Sequence, residues 1–276
     1  MREVPDALLE IGYFGESWSR NSEVGFRYVC SFINFTSSII VFRIMSNYYT
    51  ASDRMSDLIE DNYSLLQVLS RFGMSLGFGD QTVGEVCESS QVDTATFLLI
   101  INFIHSGYTQ LTDDVSNLSV AALLDYLRQS HVYFLDYVLP RIHQDLHSAL
   151  QENPENAINH LIHQQFDNYL LSVEKHMRYE ERTLFPYVEQ LLRHQVDSTF
   201  ELQTFSKHHH AIDDELRELK KILIKYSPVD TNRTKLNAVL YQIYDCEKEL
   251  DAHCKAEDYI FVPAVHDLKE KILHEG

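Results

Sequence analysis

The chain has 276 residues and a formal net charge of -18, with 41 acidic residues against 23 basic ones. Nucleic acids and anionic membranes bind basic surfaces, so this balance argues against both as partners. The four cysteines, Cys30, Cys87, Cys246 and Cys254, form no Cys-x-x-Cys pair. The composition therefore excludes a disulfide scaffold and a thiolate zinc site, and it predicts a protein of the reducing cytoplasm.

Residues 1–50 do not resemble a globular element, and we leave them unassigned as an N-terminal extension. The apolar run at 28–42 is too short to span a bilayer comfortably, so no stable membrane insertion is expected. The segment before this run is long, contains several acids and lacks the basic start of a signal peptide. We interpret it as an upstream extension with Met45 as an alternative initiator. The alternatives are a peripheral hydrophobic segment and a poorly cleaved export signal.

Residues 51–108 are predicted to form a small helical domain. Ser52 can cap a first helix, and Asp93 can cap a later helix that extends to residue 103. Glycines interrupt the helical pattern at Gly73 and in the segment Leu76-Gly-Phe-Gly-Asp80. Residues 106–117 are predicted to link this domain to the rest of the chain.

Residues 118–276 show a helical periodicity that is interrupted only by three short breaks. The breaks lie near Asn153-Pro154, near residues 195–198 and near Ser227-Pro228. Four long amphipathic helices with short connections run antiparallel to their neighbours in a bundle. The sequence therefore predicts an all-α protein, with a C-terminal antiparallel four-helix bundle preceded by the small helical domain.

One motif occurs twice, in the second and fourth predicted helices of the bundle. Each copy has a Glu four residues after a His, and a Pro six residues after that Glu. The residues are His176, Glu180 and Pro186 in the first copy, and His253, Glu257 and Pro263 in the second. Residues four apart share one face of an α-helix, so each copy can present an imidazole and a carboxylate together. Because a buried carboxylate is unfavourable unless it is paired or binds a metal, the repeat indicates a metal cage.

Steps of three and four residues identify the core-facing stripe of each helix. In the third helix the stripe selects His209, the middle member of a run of three histidines at 208–210, and it runs through Leu202, Phe205, His209, Ile212, Leu216, Leu219 and Leu223. In the second helix both motif residues lie on the stripe, which runs through Ile162, Phe166, Tyr169, Val173, His176 and Glu180. The same holds for the fourth helix, where the stripe runs through Leu236, Val239, Ile243, Cys246, Leu250, His253, Glu257 and Ile260. In the first helix the stripe runs through Val120, Leu124, Leu127, His131, Phe134, Val138 and Ile142.

These stripes place four imidazoles and two carboxylates in one core, which is too many polar groups for a core without a metal. The predicted metal ligands are His131, His176, Glu180, His209, His253 and Glu257. Mixed imidazole and carboxylate ligation suits iron, whereas structural zinc needs fewer ligands and magnesium or calcium prefers oxygen.

We predict two iron ions in an oxo- and carboxylate-bridged di-iron centre. The histidines would be terminal ligands, and Glu180 and Glu257 would be bridges. Each iron would keep open positions for a diatomic molecule or a peroxide. Manganese or a mixed metal pair remains an alternative.

Two further histidine pairs have the spacing of metal ligands but lie off the stripes or at their edge. They are His143-x-x-x-His147 and His160-x-x-His163. We interpret them as solvated helix histidines.

The repeated motifs resemble those of the hemerythrin-like di-iron proteins, and most closely the bacterial repair-of-iron-centres family, which repairs iron–sulfur clusters. The resemblance covers Ser52 to the C-terminus and includes the Leu184-Phe-Pro186 and Phe261-Val-Pro263 segments that follow the motifs. His131 and His209 match the remaining two ligands of that family. Oxygen-carrying hemerythrins use a further His where this chain has Asp213, which favours the repair-type site. The adjacent cysteines of the family's N-terminal domain are absent from residues 76–80.

The resemblance implies a protein that repairs or protects iron–sulfur clusters under nitrosative or oxidative stress, with iron–sulfur proteins as its clients. It leaves open whether the centre reduces small oxidants or donates iron, and no catalytic residue is predicted. A sensor of oxygen, nitric oxide or redox state is the first alternative. A metal-free helical interaction domain is the second.

Overall fold

The computed structural model describes residues 48–107, 118–150, 156–197, 200, 209–228 and 231–275. The side chains at 209–211, 213 and 275 lie outside this description, as do residues 1–47 with the apolar run and Met45. Residues Tyr48–Gly276 form one compact unit. The described ranges contain helices and no strand, which confirms the all-α prediction.

The N-terminal part contains four short helices. They are α1 (Met55–Asp61), α2 (Leu65–Arg71), α3 (Val83–Ser89) and α4 (Thr94–His105). Asp93 caps α4 as predicted, because its side chain accepts a hydrogen bond from the backbone N–H of Thr96. Ser52, by contrast, does not cap α1. The side chain of Asp53 accepts a hydrogen bond from the backbone N–H of Thr50 in a turn, and α1 begins two residues later than predicted.

The bundle contains four helical stretches, three of which are interrupted once. The first comprises α5 (Val120–Val132), a π-helical segment (Tyr133–Val138) and α6 (Leu139–Leu150). The second comprises α7 (Ala157–Arg182) and α8 (Leu184–Leu192), and the third is α9 (His209–Tyr226). The fourth comprises α10 (Arg233–Ala256), a second π-helical segment (Glu257–Phe261) and α11 (Val262–Glu275).

The first π-helical segment changes the register of the first stretch. The predicted stripe passes through Val138, but that residue is half-buried and Leu139 is buried instead. A π turn adds one residue relative to regular α-helix, so the core position that follows Phe134 falls at Leu139, while Ile142 is buried as predicted. Pro140 follows as the second residue of α6, where a missing backbone N–H is well tolerated.

The buried apolar side chains form two clusters. The first lies beside the N-terminal helices, and we call it the module-side cluster. It joins residues of α1–α4 to residues of the bundle helices, including Phe97, Ile101, Phe185, Val188, Ile260 and Phe261. The distal cluster fills the other end of the bundle, including Phe134, Ile142, Phe166, Leu219 and Ile243. The division into domains at 51–108 and 118–276 stays a prediction, but apolar packing continues across it.

No helix within the described ranges is both long and apolar enough to cross a membrane.

Candidate metal centre

Two groups of potential metal ligands meet between the two apolar clusters. His131, Glu180 and His253 form the first group, and His176, Glu180 and Glu257 form the second. Within each group, one ligand atom per residue lies within 4.8 Å of the others. Glu180 belongs to both groups, whereas Glu257, the predicted second bridge, belongs to one. The structure thus brings together five of the six predicted ligands.

The side chain of His209, the sixth predicted ligand, lies outside the described residues. The backbone at this position starts α9, whose later stripe residues Ile212, Leu216 and Leu219 are buried as predicted. The assignment of His209 as a ligand therefore stays a prediction.

The two groups are almost completely removed from solvent. Glu180 and His253 have no exposed surface, and Glu257 is 1% exposed. Burying carboxylates and imidazoles together in a protein core is unfavourable unless their polar atoms find partners.

Two imidazole nitrogens converge on the carboxylate of Glu180. The Nε2 atoms of His131 and His176 lie 3.0 and 2.9 Å from its two oxygens. Nε2 of His131 and both oxygens of Glu180 are buried and have no partner in good hydrogen-bond geometry among the described residues. Both ring nitrogens of His253 also lack a hydrogen-bond partner among the described residues. A metal ion would satisfy these atoms, so the donor set fits a metal site.

The charges at the site act on the pKa values in opposite directions. Burial opposes ionisation of Glu180, but His131 and His176 outweigh it and hold the pKa of the Glu180 carboxyl below its usual value. Burial also disfavours the imidazolium of His131, yet Glu180 and Glu181 raise the pKa of His131 to about 9. Burial, and then the neighbouring His131, hold the pKa of His253 well below its usual value. His253 is therefore neutral, which is the form that binds a metal.

Glu181 contacts a candidate ligand of the centre, and the stripe count missed it. One of its oxygens lies 3.1 Å from Nδ1 of His131 and accepts a hydrogen bond when that nitrogen is protonated. The bond leaves Nε2 of His131 directed at the site, as carboxylates commonly do for metal-binding histidines. The signal was available in the sequence, since Glu181 directly follows Glu180.

Aromatic rings close the site on the module side and beside His253. Phe185 stacks on His131 with ring centroids 5.1 Å apart, and the edge of Phe261 contacts Phe185 at 6.3 Å. Phe134 lies 5.9 Å from the ring of His253. These rings exclude water from the imidazoles, which strengthens electrostatic interactions within the site.

Arg71 of α2 enters the bundle next to this aromatic wall. Its side chain is 2% exposed, and it donates hydrogen bonds to Glu249 at 2.8 Å and to the Tyr126 hydroxyl at 3.3 Å. Its guanidinium carbon lies 5.5 Å from the ring centre of Phe134, which contacts His253. A buried cation from the N-terminal part therefore lies one aromatic ring away from a candidate ligand.

A surface groove borders the site on the side of the first motif. His176 contributes to its wall, together with three basic and two acidic side chains. The lining residues are Leu171, Ser172, Glu174, Lys175, His176, Arg178, Tyr179, Arg182, Ile212 and Glu215. Among the candidate ligands in the described residues, His176 borders this groove, whereas His253 is fully buried.

The backbone departs from regular α-helix just after a ligand in three of the four stretches. The π-helical segments begin two residues after His131 and at Glu257, and α7 ends two residues after Glu180 at Arg182. The following residue, Thr183, has φ of -125° and ψ of -61°. Pro140, Pro186 and Pro263 follow these departures within the first turn of the next helix. A proline within a helical run removes a backbone hydrogen bond, and the helices that carry Pro186 and Pro263 are both interrupted between the motif Glu and the proline. Departures of this kind are frequent at functional sites.

Cys87 plays no part in the candidate centre. It is fully buried in the module-side cluster, and burial raises the pKa of its thiol. A buried thiol with a raised pKa is inert, which agrees with a packing role.

Comparison with known protein families identifies the same part of the chain as a cation-binding domain. The family model described as the Hemerythrin HHE cation binding domain matches residues 122–265. The match spans more than half of the chain and includes all six predicted ligands. No curated protein shows significant similarity to the chain.

Proposed function

The chain belongs to the hemerythrin HHE cation-binding family, and we propose that its bundle holds a di-iron centre. We further propose that this centre protects or repairs iron–sulfur proteins under nitrosative or oxidative stress. The observation that carries the proposal is the position of Glu180, whose carboxylate belongs to both candidate ligand groups. A shared carboxylate can bridge two metal ions held close together.

In this proposal each iron takes ligands from two parts of the bundle. His131 and His253 would hold one iron, His176 and Glu257 would hold the other, and Glu180 would be shared between them. His209 would complete the second set. Imidazole and carboxylate together suit iron, and manganese or a mixed pair is the alternative that metal analysis must test.

When bound, the irons would supply one-electron chemistry and a binding position for nitric oxide or dioxygen. The protein side chains would do the remaining work. Glu181 would hold the Nδ1 proton of His131, so that the opposite nitrogen of the ring faces the metal. Phe185 and Phe134 would keep bulk water from the imidazoles, and the groove beside His176 would admit a small ligand.

A sensor of nitric oxide, oxygen or redox state is a second candidate, and Arg71 favours it. This residue belongs to α2, yet its guanidinium packs on Phe134, which contacts His253. A change of charge at the centre would act on this buried cation, and thus on the N-terminal helices, across a single ring.

Metal analysis and a repair assay test the first proposal together. We expect the purified protein to contain about two irons per chain, because the ligand set suffices for two bridged metals. The loaded protein should restore activity to an iron–sulfur hydratase that has been damaged by nitric oxide, whereas a Glu180→Gln variant should not. One stoichiometric zinc in place of iron would refute the di-iron centre. Full iron loading without any reactivation would refute the repair function and leave sensing.

The sensor proposal has its own test in the N-terminal helices. Limited proteolysis of the iron-loaded protein should change at α2 when nitric oxide is added. The same change should be absent from an Arg71→Met variant that retains its iron. Identical cleavage with and without nitric oxide would refute a signal through these helices.

A further inference from the structure

Three of the four histidines that the stripe count set aside come together on the outside of the bundle. His143 and His147 lie four residues apart on α6, and His163 and Asp167 lie four residues apart on α7. Each pair therefore shares one face of its helix, one turn apart. We call these four residues the outer quartet.

The two helices pair the members of the outer quartet across their interface. Nε2 of His143 lies 3.0 Å from a carboxylate oxygen of Asp167. The rings of His147 and His163 lie 5.1 Å apart between centroids, with their planes at 52°. The quartet thus consists of two contacts across the α6–α7 interface, one between His143 and Asp167 and one between His147 and His163.

Rigid packing lies directly beneath the outer quartet. Ile142 and Leu146 of α6 and Phe166 of α7 are buried in the distal cluster, and each adjoins a quartet residue in sequence. The ring of His143 stacks on Phe166 with centroids 6.0 Å apart and planes at 12°. The helices that carry the quartet are therefore fixed, while 43% of the His143 side chain and 55% of the Asp167 side chain are exposed.

We propose that the outer quartet is a second metal site, for a divalent transition ion such as zinc. Three imidazoles and one carboxylate are a donor set that zinc binds with tetrahedral geometry, and copper and nickel also favour imidazole. The ligand atoms are further apart than in the buried centre, where each group lies within 4.8 Å. The quartet side chains are at least partly exposed, so they have room to rotate towards an ion.

The outer quartet and the buried centre are separate sites. Asp167 and Glu180 lie on the same helix, and 13 residues at the rise of an α-helix separate them by about 20 Å. An ion in the quartet would join α6 to α7 at the distal end of the bundle, outside the apolar core. The site would therefore stabilise the bundle without contributing a ligand to the buried centre.

Zinc titration of the iron-loaded protein tests the proposal. Calorimetry should show about one zinc bound per chain with iron content unchanged, and the melting temperature should rise because zinc binds the folded state. His147→Ala, His163→Ala and Asp167→Asn should each weaken zinc binding by at least about tenfold, since even a lost partner of a ligand has that effect. His266→Ala is the matched control, because His266 is an exposed helix histidine outside the quartet.

Two results would overturn the outer quartet. If His163→Ala and Asp167→Asn bound zinc like the unmodified chain while His147→Ala did not, α6 alone would chelate the ion. If no quartet variant differed from His266→Ala, zinc would bind elsewhere. A Glu180→Gln variant separates this proposal from the di-iron proposal, because it should lose iron and still bind zinc at the quartet.

Discussion

The two copies of the His-x-x-x-Glu motif have the same spacing and the same following proline, but they occupy different surroundings. In the first copy, Glu180 belongs to both ligand groups and lies within 3.0 Å of two imidazole nitrogens. His176 borders the surface groove. In the second copy, Glu257 belongs to one group, and His253 is fully buried without a hydrogen-bond partner among the described residues.

The backbone after each motif differs as well. α7 ends at Arg182 and a new helix begins at Leu184, whereas the second motif continues directly into a π-helical segment at Glu257. A repeated sequence therefore specifies ligand type and spacing, while contacts with the neighbouring helices determine the burial of each copy and the ligand groups to which it belongs. On this comparison the carboxylate of the first motif connects the two ligand groups, and the second motif forms the fully buried side of the centre.

The largest effect should come from removing the shared carboxylate. Glu180→Gln should abolish binding of both metals, because it removes a ligand from each group. Glu257→Gln, the matched change in the second motif, should reduce metal content by about half, since it affects one group. Elemental analysis after identical iron loading measures both. Equal losses in the two variants would show that the motifs are equivalent and that Glu257 also bridges.

The next largest effect concerns the ligand that would complete the group of His176 and Glu257. The stripe count selects His209 from the run at 208–210, because steps of three and four connect it to Ile212 and Leu216. His209→Ala should release about one iron per chain, whereas His208→Ala and His210→Ala should be mild. Iron loss in the His208 variant with retention in the His209 variant would shift the predicted register by one residue.

The pair of His131 and Glu180 should make the metal-free protein sensitive to pH. The pKa of His131 rises from 6.5 to about 9 on folding, so its stabilising contribution is complete below pH 6.5 and is lost as the pH rises to 9. That shift corresponds to about 3 kcal/mol of unfolding free energy. The pKa of Glu180 is lowered from 4.5, so its contribution is present above that pH and is lost in acid. Urea unfolding across this range measures both.

His131→Gln is the control for this pH dependence. It should flatten the decline between pH 6.5 and 9, because it removes the group that titrates there. An unchanged decline in the variant would assign the effect to another residue. Iron-loaded protein should behave in the opposite way, since the metal requires neutral His131 and binds more tightly as the pH rises.

Helical periodicity predicted most of this architecture, because burial of apolar faces dominates helix packing. In α7 every predicted stripe position from Ile162 to Glu180 is buried. The method failed at Val138, because counting by three and four assumes regular α-helix and the π-helical segment adds a residue. Pro140 was the available signal of that departure.

Contacts that are distant in sequence could not be predicted in this way. Arg71 donates to Glu249 across 178 residues, and nothing in its local sequence marks it as buried. The outer quartet shows the same limit, because spacing along one helix indicates which residues share a face but not the pairing of His143 with Asp167 on another helix. Glu181 was accessible in principle, because a carboxylate beside a ligand commonly orients a histidine.

The smallest expected effect gives the sharpest test of the difference between the motifs. The matched substitutions are His253→Leu and His176→Leu, and both should impair metal binding. In the metal-free protein they should act in opposite directions. Both ring nitrogens of His253 are buried without a hydrogen-bond partner among the described residues, so leucine should raise the free energy of unfolding by about 1–2 kcal/mol.

His176 lies 2.9 Å from a buried oxygen of Glu180, so leucine there should lower the free energy of unfolding by at least as much. Urea unfolding of the two metal-free variants at one pH measures both changes against the unmodified chain. A loss of stability in both variants would mean that the ring nitrogens of His253 have hydrogen-bond partners in solution. The second motif would then stabilise the metal-free fold as well as bind the metal. Opposite signs would instead establish that one histidine anchors the carboxylate, while the other is retained at the expense of stability because the metal needs it.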